Sequence, residues 1–179
     1  MRRLPFRLFL LLLLLPAFAA CDSSDSDGNG NDDGGGGSVD CNASGTGIVA
    51  ANVDGEAFCA FTSSASDESG DVVLFAVGSY SGSSGAGLSI TAPGAEGTYT
   101  VSSSQSDVFA SFAPTADGIV YDTGSDGGSG TVVISDISET RVEGTFSFVM
   151  EGFDENTDMY TGETLSVTSG EFDVPLIEF

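Results

Sequence analysis

Apolar and polar positions divide this chain into three stretches. Residues 8–15 form an unbroken apolar run, closed by Pro16. Residues 22–40, reading DSSDSDGNGNDDGGGGSVD, hold almost no apolar side chain. From Gly47 onward, short apolar segments recur between Gly, Ser and Asp clusters, and no window shows apolar residues at helical spacing. Strand signals fall at 47–53, 56–62, 72–80, 88–92, 97–102 and 108–112, then at 118–121, 130–135, 141–150, 163–168 and 171–176. Residues 63–70 read as a polar loop. About ten short strands, with turn signals every 8–12 residues, predict an all-β domain: one antiparallel sandwich or flattened barrel.

The first hairpin can be read to the residue. Asp54-Gly55 is a preferred pair for a two-residue type I′ turn, because both positions need positive φ. In that register Val53 opposes Glu56, Ala51 opposes Phe58 and Ala50 opposes Cys59. Thirteen Phe, with Val, Ile and Leu, supply the expected core. Phe146 and Phe148 flank Ser147 on one strand, which sets both rings on one face.

The leading run is too short to span a bilayer as a helix. From Leu8 to Ala20 it covers roughly 20 Å, against roughly 30 Å of hydrocarbon. Arg2, Arg3 and Arg7 before it, and small residues after it, follow the order of a secretory signal peptide over 1–20. Two cleavage readings compete. Ala17-Phe18-Ala19 fits ordinary signal removal and a secreted product. Phe18-Ala19-Ala20-Cys21 resembles a lipobox, after which Cys21 would be acylated, with palmitate among its chains, and become the first mature residue. The chain has three cysteines, and an odd count in an exported protein leaves one to explain. Lipidation of Cys21 leaves Cys41 and Cys59 as an expected disulfide, worth about 3 kcal/mol through loop entropy.

Charge narrows the partners. No acid precedes Cys21, so 27 acidic groups face Arg141 alone in the mature chain, a net charge of −26, with no Lys, His or Trp. Such a chain repels nucleic acid and anionic lipid surfaces. A high-salt habitat would screen the self-repulsion, since the Debye length falls to about 3 Å at 1 M. Residues 21–40 read as a disordered acidic tether of roughly 24 Å root-mean-square span. Residues 41–179 are the size of one domain.

Catalytic vocabulary is thin. Without His or Lys a serine nucleophile lacks its ordinary base, and no G-x-S-x-G elbow occurs. A carboxylate-based glycosidase needs only two acids, but no pair stands out. The expectation is a non-enzyme without a cofactor. Calcium candidates are Asp154, Asn156 and Asp158 in one loop, and Asp122 with Asp126 in another. Asp25, Asp27, Asn29 and Gly30 begin like an EF-hand loop, but Gly36 stands where the twelfth-position Glu is required. Asn42-Ala43-Ser44 is formally a glycosylation sequon. Tyr80, Tyr99, Tyr121 and Tyr160 are candidates for stacking on sugar rings.

The segments ANVDGEAFCA, GTYTV, RVEGTFSFVM and SVTSGEFDV resemble an uncharacterised family of small β-rich lipoproteins of Bacteroidetes-type bacteria. The likeness covers residues 45–174. It implies the order lipobox, polar spacer and β domain. The acids Asp22, Asp25 and Asp27 after Cys21 resemble a surface-export signal. The family brings no catalytic residues. The expected protein is therefore a lipid-anchored component of the cell envelope, at the outer membrane, with a non-catalytic binding or structural domain. The alternative is a carbohydrate-active or glycan-binding surface accessory. A glycan or protein partner is expected, and nucleic acid is not.

Overall fold

The structure, a computed structural model, describes residues 41, 47–101, 107–115 and 119–177. Among these, ten strands follow in order: β1 Ile48–Val53, β2 Glu56–Glu68, β3 Asp71–Tyr80, β4 Ser83–Pro93, β5 Gly97–Val101, β6 Phe109–Ala113, β7 Ile119–Asp122, β8 Ser129–Ile137, β9 Arg141–Asp154 and β10 Met159–Ile177. The signal peptide, Cys21, the tether, the EF-hand-like stretch from Asp25 and the sequon at Asn42 lie outside the described residues.

Three tight hairpins join the first four strands. Asp54-Gly55, Ser69-Gly70 and Ser81-Gly82 all have positive φ at both positions, the type I′ geometry that suits twisted strands. The first has the expected register: Val53 opposes Glu56, Ala51 opposes Phe58 and Ala50 opposes Cys59. Its tip is held from the side, because Asp54 Oδ1 accepts the Ser166 amide at 2.7 Å.

The sheet closes on itself in the order β1-β2-β3-β4-β6-β7-β9-β10 and back to β1, a flattened barrel. The pairs are antiparallel except for one short seam, where Leu176 and Ile177 run parallel to Ala65 and Ser66. Strand β9 carries two partners on one edge: β7 along residues 151–154 and β8 along residues 142–149. Strand β5 then pairs with β8 and extends the sheet beyond the ring.

Two expectations are corrected. Residues 63–70 are not a loop, since β2 continues to Glu68 and only Ser69-Gly70 turn. A register shift between Ala60 and Thr62 resets the phase, so Ser63 and Ala65 point inward among small neighbours. Residues 163–168 and 171–176 belong to one strand, β10, of 19 residues. Here Ser169-Gly170 forms a bulge against β9 instead of a turn.

Glycine and phenylalanine pair across β8, β9 and β10. Gly170 lies opposite Phe146, Gly144 opposite Phe172, and Gly130 opposite Phe148. A Cβ on any of the three would collide with the facing ring. The missing side chains let the rings lie flat over neighbouring backbone, and Phe146 stacks on Phe148 at 5.7 Å and on Phe172 at 6.3 Å. This is the physical content of the GTFSF and SGEF motifs.

Candidate functional site

Side chains fill the inside of the barrel. Phe58, Phe112, Leu88 and Met150 are fully buried, and Phe112 meets the edges of Phe58 and Tyr80 at 5.5 and 5.3 Å. An eight-stranded ring is just wide enough for such a core. The accessible side chains of the ring strands therefore lie on its outer face.

The outer face of β2, β3, β4 and β6 is a grid set by strand register. Ser66, Val73, Thr91 and Phe109 form one row; Ser64, Phe75, Ser89 and Ser111 the next; Thr62, Val77, Gly87 and Ala113 the third. None of these twelve positions carries an ionisable group, in a chain with 27 acids. Hydroxyl residues occupy all of the β2 column and most of the β4 column, while the β3 column between them is apolar.

Exposed phenylalanines cross this face. Phe75 is 54% exposed and Phe109 44%. Phe61, the residue pushed out by the β2 bulge, is 56% exposed beside Thr62. The expectation that the phenylalanines supply the core is thus corrected. Phe58, Phe112, Phe146, Phe148 and Phe172 are buried, but Phe61, Phe75 and Phe109 stand in solvent. Sequence reading missed Phe75 because residues 72–77, VVLFAV, are continuously apolar and do not reveal their phase. Val72, Leu74 and Ala76 face inward, which leaves the bulkier set of Val73, Phe75 and Val77 outside.

A second outer region lies over β8, β9 and β10. Two shallow grooves of about 360 and 260 Å³ share Thr145 and Glu171. Here acids line up: Asp136, Glu143 and Asp173 are direct neighbours across three strands. Arg141 pairs with Asp173 and, at 3.6 Å, with Glu143. Its hydrogen bond to Asp173, more than any other contact, raises the guanidinium pKa further.

The four tyrosines do not come together as a stacking platform. Tyr80 and Tyr121 lean on the core at the barrel end near Asp54. Burial first, then nearby acids, raises both phenols. Tyr99 donates to the Ala95 carbonyl at 2.8 Å. Tyr160 packs edge-on against Phe153 and donates to Asp122 Oδ1 at 3.0 Å. Burial and then that hydrogen bond push the Tyr160 pKa up to about 12.

The calcium candidates sit in turns that use their own oxygens. Asp154 Oδ1 accepts the Asn156 amide at 2.8 Å, which is the main reason its carboxyl lies below the ordinary range. Asp158 takes the positive φ of the same turn. Asp122 Oδ1 accepts the Gly124 amide at 2.7 Å as well as the Tyr160 hydroxyl, and among the described residues no group of three or more metal-binding side chains gathers. Cys41 and Cys59 stand at disulfide distance, with Cα atoms 5.5 Å apart.

A family model described as a domain of unknown function, DUF6252, matches residues 45–175. No curated protein and no solved structure matches the chain.

Proposed function

We propose, for a chain that belongs to the DUF6252 family, a role as a binding module tethered by lipid to the bacterial cell envelope. The leader ending in Cys21 supports the tether, as does its resemblance to the lipoproteins of Bacteroidetes-type bacteria. One observation carries the binding role. An outer face of twelve residues has no ionisable group and exposes phenylalanine, on a body whose mature charge is −26. A chain that needed only solubility would cover such a face with its plentiful acids, as it does elsewhere.

Acyl chains at Cys21 would hold the protein at the outer membrane, each buried methylene adding about 0.8 kcal/mol. The spacer at 22–40 would let the barrel stand off the bilayer. Mass spectrometry of the mature N-terminus, with fractionation of wild type and Cys21→Ala, tests the tether. The expected result is an acylated Cys21 in the membrane fraction and loss of the variant from it. An unmodified N-terminus on protein free in the medium would overturn the tether.

A further inference from the structure

The geometry points to a neutral polysaccharide as the occupant of the face formed by β2, β3, β4 and β6. This rests on the reading of the barrel as a binding module and names what it binds.

Chemistry comes first. The β3 ridge of Val73, Phe75 and Val77 runs between two hydroxyl rails, Thr62, Ser64 and Ser66 on β2 and Ser89 and Thr91 on β4. A sugar ring has the same composition, apolar C–H faces bounded by hydroxyls. Laid along the ridge, it would set C–H against Phe75 and direct its hydroxyls to both rails. Ser66 donates to Glu68 at the edge of the face, at 3.5 Å. The hydroxyls of Thr62, Ser64, Ser89 and Thr91 make no side-chain hydrogen bond within the described residues. They are free to exchange water for a ligand.

Charge and area then weigh against a polyanion, an anionic lipid surface and a second copy. A polyanion would be repelled by a −26 body. An anionic lipid surface is disfavoured for the same reason. A second copy would need to bury about 800 Å² per partner. Strands about 4.8 Å apart and residues about 6.8 Å apart along them make this grid only about 19 by 20 Å, about 400 Å². That is enough for a few sugar units and about half of what a stable dimer requires.

The test uses the mature protein in gel-affinity electrophoresis against soluble neutral polysaccharides, a β-glucan, a mannan and an α-glucan, with polygalacturonate as the anionic control. At least one neutral polymer should retard the wild type, and polygalacturonate should not. Phe75→Ser should weaken the interaction about tenfold, the loss of one aromatic contact, and Phe75→Tyr should keep it. Thr145→Ala, in the groove over β9, should bind like wild type. Because Phe75 is outside the core, thermal melts of both Phe75 variants should match wild type. Failure of all three neutral polymers to retard the protein would overturn the inference, as would equal retardation of wild type and Phe75→Ser. Sedimentation showing a dimer that Phe75→Ser dissociates would overturn it in favour of a second copy. None of these readouts needs the lipid, so an unmodified Cys21 would remove the tether and leave this test intact.

Discussion

At the scale of single residues, the contacts of Tyr160 and Arg141 show how an acidic surface is held in order. Tyr160 keeps its proton to about 12, through burial and then the bond to Asp122. A raised phenol pKa favours the protonated folded state. The stability it adds is therefore complete below the unfolded value of about 10 and is lost as pH rises from there toward 12. Asp122→Asn removes the charge and should bring the Tyr160 titration down, followed by ultraviolet absorbance. An unchanged titration would separate Tyr160 from Asp122. Arg141 does comparable work among Asp136, Glu143 and Asp173, because like charges directly across strands destabilise a sheet. Arg141→Gln should lower the melting temperature at low ionic strength, and 1 M KCl should close most of the gap. A deficit that salt leaves unchanged would mean that the side chain acts through packing.

At the scale of elements, the same residue type takes opposite roles according to what faces it. Gly144 lies under the ring of Phe172, whereas a Cβ at Gly87 would meet nothing within 4 Å. Gly144→Val should cost about 3 kcal/mol by overpacking. Gly87→Ala should stabilise by up to about 1 kcal/mol, since a strand glycine surrenders backbone freedom for no contact. Denaturant melts of the two variants check both signs. The Cys41–Cys59 link should contribute about 3 kcal/mol, read from the double serine variant.

The same scale explains what could be read in advance. Asp54-Gly55 fixed its hairpin because both residues tolerate positive φ and strong strands flank them. A Ser-Gly pair says less, as three of them show. Ser69-Gly70 and Ser81-Gly82 turn, while Ser169-Gly170 passes through as a bulge, with Ser169 at φ 51° and Gly170 against Phe146. Only the facing strand distinguishes them, and sequence does not show that neighbour. Ser63 and Ala65 looked like loop residues for a related reason: small side chains fit inside a barrel as well as outside it. Phe75 stayed hidden because the middle of its strand is apolar on both faces.

At the scale of the whole molecule, charge and topology divide the labour. Closing the ring removes most sheet edges, which are otherwise sites of aggregation. A net charge of −23 favours solubility at the expense of self-repulsion. Melting in 2 M KCl should therefore occur at higher temperature than in 0.1 M, as repulsion is screened. Equal melting in the two would remove the case for a high-salt habitat. The unionisable grid matters most against this background, because it is a place where a neutral partner can approach without displacing hydrated carboxylates.

Hydrogen exchange of the mature protein, with and without a retarding neutral polysaccharide, tests that claim most directly. Protection should rise along β2, β3, β4 and β6 and stay unchanged over β8, β9 and β10. Protection confined to the acidic grooves around Thr145 and Glu171 would contradict it.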